Sequence, residues 1–397
     1  MNPIPDLNLL SGLGLLFLAL TLPGSLYLAL LTLAGSLPAR RDTAAPLPGR
    51  LAIVVPAHDE ASGIGRTVAN LLDVSRQDGH CEVVVVADNC SDDTAERAHQ
   101  AGARVLERLD AERRGKGYAL DFAFTSLLAE DYVAFVVVDA DSVVAEGFLD
   151  AIRRKFGAGA EALQTRYTML NGDESPRTGL AEIALAAYNI LRLRGRDRLG
   201  LSVGILGNGF ALRSELLRRV PYTADSVVED LEYQIYLIAA GRRVQFVDVT
   251  AVGGEIPTGQ KGRDTQRARW EGGRLRMLIE QGPKLAGQVL RGRLRLLEPL
   301  ADLLLLPLAY HVMLLLLALL LLALGGWAAA ALLALSGLGL VGLHLVAAVA
   351  VGRLPWSRLW LLARIPFYLA WKLRMILPIL ASARRDSAWV RTDRTGS

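Results

Sequence analysis

Apolar positions in this chain gather in a few long runs. Residues Leu7 to Gly35 carry no charge, and about 20 apolar residues suffice to cross a bilayer. A cleaved secretory signal would need a basic leader and a shorter apolar stretch, yet only Asp6 precedes this run, so it is predicted to be a retained span. Two more uncharged runs lie towards the C-terminus, Leu303–Leu324 and Trp327–Val351, with Gly325-Gly326 between them as a tight turn. A fourth stretch, Pro355–Leu380, is apolar and aromatic but interrupted by Arg364, Lys372 and Arg374. Charges inside a span are costly, so this stretch is predicted to lie in the membrane interface with its basic groups snorkelling.

The intervening segment has a different rhythm. Leu51–Val55, Glu82–Ala87, Ala103–Leu106 and Tyr132–Val138 are short, Val-rich and unbroken, as parallel strands covered on both faces should be. Helical patterns, Ile64–Val74 and Asp93–Ala101, separate them, the second closed by Gly102. This alternation predicts an α/β fold with a doubly wound, mostly parallel sheet. Further helices are predicted near Gly179–Leu193 and over Glu229–Ala240, which stops at Gly241. A strand at Val244–Val247, a Gly-rich loop from Asp248 to Gly262 and a helix opening near Asp264 complete the pattern.

Composition narrows the class. With 52% apolar residues the chain is no disordered segment. The net charge of +4 is too mild for a nucleic-acid partner. Two cysteines, Cys81 and Cys90, exclude a disulfide scaffold and a Cys-rich zinc module. Charge next to the spans sets orientation. Arg40 and Arg41, then Arg291, Arg293 and Arg295, then Arg353 flank the three spans, and the tail carries Arg384, Arg385, Arg391 and Arg394. All are satisfied together if the polar middle faces the cytoplasm and Pro355–Leu380 does not cross. The Ala-, Leu- and Arg-rich usage suggests a bacterial inner membrane.

Candidate chemistry collects at the strand ends, where open α/β sheets bind ligands. The first strand runs into Pro56-Ala57-His58-Asp59-Glu60, the second into Asp88-Asn89, and the Tyr132–Val138 strand into Asp139-Ala140-Asp141. One such acid could cap a helix; three strands delivering acids to one edge is a site. Gathered carboxylates repel unless one is protonated or a cation joins them. Asp139 and Asp141 offer hard oxygen donors for Mg²⁺ or Mn²⁺, which commonly bind a substrate diphosphate as well. A nucleoside diphosphate compound is therefore the expected substrate. Arg113-Arg114-Gly115-Lys116-Gly117 lacks the spacing of a phosphate loop but precedes a predicted helix, where anions are favoured.

These pieces, in this order, resemble the membrane-bound branch of the family 2 glycosyltransferases, which includes cellulose, hyaluronan and poly-N-acetylglucosamine synthases and ceramide glucosyltransferase. The likeness covers about residues 50 to 275. Pro56-Ala57-His58-Asp59-Glu60 resembles the first motif, and Ala87-Asp88-Asn89-Cys90-Ser91-Asp92 the Asp-Asp-Gly-Ser-x-Asp turn, with Ala, Asn and Cys in place of three residues. Asp139-Ala140-Asp141 is similar to the Asp-x-Asp metal motif. Val228-Glu229-Asp230 looks like Thr-Glu-Asp, and Gln266-Arg267-Ala268-Arg269-Trp270 matches Gln-x-x-Arg-Trp without change. Gly207-Asn208-Gly209-Phe210 resembles the acceptor-side loop. The resemblance implies a nucleotide-sugar domain of the GT-A type and an inverting transfer that forms a β-linkage. It implies Asp230 as catalytic base, Asp139 and Asp141 as metal ligands, and Pro56, Glu60, Asp88, Lys116, Asp139, Gln266 and Arg269 on the nucleotide-sugar, with Asp88 at the uracil of a UDP-sugar. Trp270, Glu229 and Gly209 would meet the acceptor.

The residues themselves support parts of this. A carboxylate in the first turn of a helix is stabilised by the helix dipole and can take a hydroxyl proton. Gln266, Arg269 and Trp270, at i, i+3 and i+4, share a helix face, where a guanidinium can grip a diphosphate and an indole can stack on a sugar. The expected organisation is an N-terminal transmembrane helix with its flank (1–40), a cytoplasmic transferase domain (41–275), an amphipathic interface region (276–300), a transmembrane hairpin (301–352), and an interfacial or transmembrane helix with a basic tail (353–397). The acceptor would be a lipid or a growing glycan. A nucleotidyltransferase would share the sheet and its acids but leaves Gln266–Trp270 unexplained; a channel leaves the acids without a role.

Overall fold

The computed structural model describes residues 7–40, 42–257 and 259–384. Of the charges invoked above, Asp6, Arg41, Arg385, Arg391 and Arg394 lie outside the described residues. Eight strands form one sheet: β1 (Arg50–Ala57), β2 (Cys81–Asp88), β3 (Arg104–Arg108), β4 (Tyr132–Val137), β5 (Val143–Val144), β6 (Ala162–Met169), β7 (Phe210–Arg213) and β8 (Val244–Gly254), in the order β3-β2-β1-β4-β7-β6-β8-β5. The pairs β1–β2, β2–β3, β1–β4 and β6–β8 are parallel, and β4–β7, β6–β7 and β5–β8 antiparallel.

Side-chain alternation splits the core into two layers. Ile53, Val55 and Val136 pack under Ile64, Val68, Leu71, Phe148 and Ile152. Ala52, Val54, Phe135 and Val137 face Leu120, Phe124, Phe210 and Tyr233. Burial on both faces explains the unbroken apolar runs of β1, β2 and β4, and the doubly wound half stands as the sequence predicts.

The second half departs from expectation. The segment from Asp248 does not loop out; it continues β8 to Gly254 alongside β6, with a register shift between Thr165 and Arg166. Asp248 stays in the sheet because Arg166 (2.8 Å) and Arg194 (2.5 Å) neutralise it. Gly253 and Gly254 lie against Leu170 and Tyr167, where a Cβ would meet side-chain atoms at 2.5 and 3.0 Å. Their glycines mark tight packing. Strand β6 is not predicted because Gln164, Thr165 and Arg166 break the apolar pattern, and β7 because its four residues make too short a run.

Two helices, Leu9–Gly35 and Ala328–Gly352, are long and apolar enough to cross a membrane. The predicted span Leu303–Leu324 is broken: helices Leu297–Leu304 and Leu308–Leu324 flank Leu305–Pro307, and the axis bends by 75°. Pro307 has no N–H and holds Leu306 away from the helical region. Asp302, just before the break, is drawn towards the sheet domain by Arg192 and Arg196. The Pro355–Leu380 stretch is also broken, into Trp356–Arg374 and Ile376–Ser382 at 44°. Its Lys372 is buried against Glu271 and so does not snorkel, while Arg374 stays exposed.

The Leu9–Gly35 helix crosses the Arg192–Arg198 helix at glycines. A Cβ on Gly35 would fall 2.4 Å from the Leu191 carbonyl oxygen, and one on Gly195 2.5 Å from that of Leu31. Gly195→Val is expected to cost about 1–3 kcal/mol by overpacking, seen as a lower unfolding temperature of the protein in detergent. An unchanged temperature would contradict this contact.

Candidate active site

Parallel register brings the C-terminal ends of β1, β2 and β4 to one edge of the sheet. There the backbone is held in uncommon conformations. Asp59 and Asn89 have φ of 53° and 51°, a region that Asp and Asn visit more readily than other side chains. Hydrogen bonds hold both turns. The Ser91 N–H donates to Asp59 Oδ1 (2.6 Å), His58 Nδ1 to the Asp88 carbonyl (2.7 Å), and the Asp110 N–H to Asn89 Oδ1 (2.8 Å). Asp88 closes β2, is 5% exposed, and accepts from Arg108 Nη1 at 2.6 Å and Asn89 Nδ2 at 3.0 Å on the same oxygen. Pro56 sits in β1, half-buried, and the Glu60 N–H donates to Thr94 Oγ1 (2.7 Å) in the following turn.

After β4 the chain alternates. Val138, Ala140 and Ser142 are buried, while Asp139 and Asp141 are partly exposed. Asn208 fixes this segment: its Oδ1 accepts from the Asp139 N–H (3.1 Å), its Nδ2 donates to Ser142 Oγ (2.8 Å), and its carbonyl accepts from Gln164 Nε2 (2.8 Å).

The centre of the site is a single ammonium among carboxylates. Lys116 opens the Lys116–Leu127 helix, pairs with Asp139, and donates to the Gly207 carbonyl at 2.5 Å. Gly207, at φ +76°, lies beside Asp230: a Cβ there would stand 3.2 Å from Asp230 Oδ2 and 3.6 Å from Lys116 Nζ. Gly117 lets this helix approach the loop before Glu229, where a Cβ would come within 2.2 Å of the Ala224 oxygen. Glu229 and Asp230 begin the Glu229–Ala239 helix. Burial first, then the Asp230 charge, pushes Glu229 up to about 8. Asp230 is also raised, by burial first, with its hydrogen bond from the Leu231 N–H and the Lys116 charge opposing. Lys116 holds its proton more firmly than usual: burial works against the charge, but Asp139, Glu229 and Asp230 prevail. Asp139, Asp230 and the raised Glu229 around one ammonium leave positive charge short. A divalent ion on the hard oxygens of Asp139 and Asp141 fits that shortfall.

The fifth motif arrives on the Gln260–Leu290 helix. Gly273, at i+4 from Arg269 and i+3 from Trp270, packs on Val228, where a Cβ would be 2.6 Å from Val228 Cγ1. The helix face that carries Gln266, Arg269 and Trp270 therefore meets Val228 at Gly273, one turn beyond Trp270. The Asp264/Ala268/Glu271 face turns to the Ile365–Arg374 helix, through Trp371 Nε1 to Asp264 (3.1 Å) and Lys372 to Glu271. Arg267 stacks over Trp270 at 5.8 Å.

Gly209 does not join the cluster. It sits in the bend just before β7 at φ +70°, its N–H bonded to the Val137 carbonyl (2.9 Å) and its carbonyl to the Thr165 N–H (2.9 Å). The neighbouring Gly207 occupies the place at the carboxylates. Sequence reading also passed over Asn208 and Arg108. The Gly-Asn-Gly triplet is a signal for the first; nothing in the sequence points to the second.

Comparison with known proteins bears on the family and the fold. The profile of the family described as "Glycosyltransferase like family 2" matches residues 48–273. A probable glycosyltransferase of Bacillus subtilis, YdaM, is 22% identical over 253 residues, 61% of this chain and 59% of that protein, so the chain spans about three fifths of that relative's length. A dolichyl-phosphate hexose transferase of Haloferax volcanii is 28% identical over 176 residues, 44% of this chain and 72% of that protein. Among solved structures, a mannosyltransferase from Pyrobaculum calidifontis, in complex with GDP-Man and Mn²⁺, superposes with a TM-score of 0.56 at 19% identity, covering 86% of this chain and 98% of that one. That likeness bears out the GT-A-like α/β fold. With the profile match spanning more than half its length, this chain belongs to glycosyltransferase family 2.

Proposed function

We propose that the protein is a membrane-bound inverting glycosyltransferase that moves a sugar from a nucleotide-sugar, a UDP-sugar, to a hydroxyl of a lipid or glycan acceptor and forms a β-linkage. The observation that carries this is the convergence of Lys116, Asp139, Gly207, Glu229 and Asp230 beside the strand ends. In this reading Asp88 takes the base, with one carboxylate oxygen committed to Arg108. Pro56 and Glu60 line the nucleotide. Lys116, Gln266 and Arg269 hold the diphosphate, while Trp270 and Glu229 bound the acceptor. Asp139 and Asp141 would hold Mg²⁺ or Mn²⁺, which when bound neutralises diphosphate charge. Asp230 accepts the acceptor's hydroxyl proton as its oxygen attacks the anomeric carbon. The burial and like charge that raise Asp230 also strengthen it as a base. Arg269 then meets the charge that develops on the leaving nucleoside diphosphate.

The membrane helices and the arginine flanks support a multi-pass protein of the bacterial inner membrane, with the transferase domain cytoplasmic. The names of the relatives favour hexose chemistry and leave the base to experiment, since the solved neighbour carries GDP-Man. Purified protein offered a panel of UDP- and GDP-sugars, with membrane lipid extract, is expected to release UDP from one of them in Mg²⁺ or Mn²⁺ and none in chelator. Release of pyrophosphate from a sugar phosphate and nucleoside triphosphate would instead indicate a nucleotidyltransferase. Asp141→Asn is expected to weaken UDP binding in metal by about tenfold or more, to the level of chelated wild type. Calorimetry checks this, and metal-independent binding by wild type would contradict it.

A further inference from the structure

Two turns before Trp270, the Gln260–Leu290 helix borders a cavity of about 460 Å³ lined by Glu174, Ser175, Pro176, Arg177, Arg263 and Arg364. Three elements meet there: the start of the Pro176–Ala186 helix, the first turn of the Gln260–Leu290 helix, and the end of the Trp356–Arg364 segment next to the apolar C-terminal stretch. Among the described residues none of the three arginines has an ion-pair partner, and Arg263 Nε is shut off from solvent with no acceptor. Nearby acids are committed elsewhere: Asp173 and Glu182 to Arg358 at 2.5 and 3.1 Å, Glu255 to Arg66 at 3.4 Å, and Glu174 to Asn171 Nδ2 at 3.2 Å; Asp264, whose charge does reach Arg263, accepts from Trp371 Nε1 at 3.1 Å. Three guanidinium groups around one glutamate form a cationic hollow beside the apolar C-terminal stretch. Guanidinium groups pair with phosphate oxygens in a bidentate fashion, and basic pockets at the membrane edge take anionic headgroups.

The placement on the helix says more. Arg263, Gln266 and Trp270 follow the i, i+3, i+7 spacing of one face, and seven residues at 1.5 Å of rise put Arg263 about 10 Å along the axis from Trp270. An anion in the cavity is therefore held apart from the transfer point. At that point a base, Asp230, suits a neutral hydroxyl, which must lose a proton; a phosphate nucleophile is already ionised and needs none.

We propose that the cavity holds the phosphate of a membrane phospholipid whose own headgroup hydroxyl receives the sugar. This rests on the transferase reading for the acceptor role; the headgroup site stands on the cavity alone. The two are separated by measuring binding and transfer independently, on the full chain in a neutral detergent. Dihexanoyl phosphatidylglycerol is expected to bind at least tenfold tighter than dihexanoyl phosphatidylcholine. Arg263→Gln and, as a second variant, Arg177→Gln are each expected to remove that preference while UDP affinity is retained. Equal binding of the two lipids, or a preference unchanged in both variants, would overturn the site. Inorganic phosphate binding as tightly as the anionic lipid would overturn the lipid source and assign a free phosphate. For transfer, phosphatidylglycerol vesicles are expected to raise nucleotide release over phosphatidylcholine vesicles, and Arg263→Gln to raise the lipid KM with little change in kcat. Intact headgroup binding without release from any nucleotide-sugar would overturn the acceptor role and the transferase reading together.

Discussion

Asp230→Asn is expected to lower turnover by about 10²–10⁴-fold, the usual worth of a positioned general base, while nucleotide affinity changes little. The amide keeps the shape and can still accept from the Leu231 N–H, which bonds Asp230 Oδ1 at 2.8 Å. It cannot take a proton from a hydroxyl. It also removes one of the charges that raise Glu229, so the variant should fold at least as well as wild type. Steady-state nucleotide release and a nucleotide titration on the same preparation check the claim. Wild-type turnover would sink the assignment, and loss of nucleotide binding would place Asp230 on the donor.

Lys116→Met should give the largest loss of stability in metal-free protein. The lysine is the counter-ion shared by Asp139, Glu229 and Asp230. Removing one partner of a buried ion pair usually costs about 3–5 kcal/mol. The Lys116 side chain keeps 23% of its exposure, and solvent screening at that level brings the expected loss to about 2–3 kcal/mol. The variant should then gain more from Mn²⁺ than wild type does, because a cation on Asp139 and Asp141 restores positive charge where the ammonium was. Thermal unfolding in chelator and in Mn²⁺ reads both effects. A variant as stable as wild type in chelator would show that Lys116 is not the counter-ion.

What could be read from the sequence follows from how each element is stabilised. Strands β1, β2 and β4 are buried on both faces, so their runs of Val and Ile announced them. The acids that follow them stood out because charge directly after such a run has nothing to do in a core. Strand β6 and the part of β8 from Asp248 onward were hidden because their polar side chains are satisfied by partners distant in sequence. Asp248, for example, is neutralised by Arg166 and Arg194, and no local pattern reports that. The break at Leu305–Pro307 was legible in Pro307, but the uncharged Leu run masked it. Gly209 drew attention as part of a Gly-Asn-Gly triplet, yet only the sheet register shows that Gly207 reaches the carboxylates. The buried Lys372–Glu271 pair was missed for a simple reason: a lysine in an apolar stretch near a membrane reads as snorkelling unless its partner is known.

The proposed reaction is a single in-line displacement assisted by Asp230. The most direct measurement is the anomeric configuration of the first product formed from an α-linked nucleotide-sugar, read by proton nuclear magnetic resonance before the sugar can equilibrate. Lipid extract serves as acceptor, and water takes that place in the slow hydrolysis without it. The account predicts a β-configured product in both cases, absent in Asp230→Asn. An α-configured product would mean retention, and would contradict the role given to Asp230.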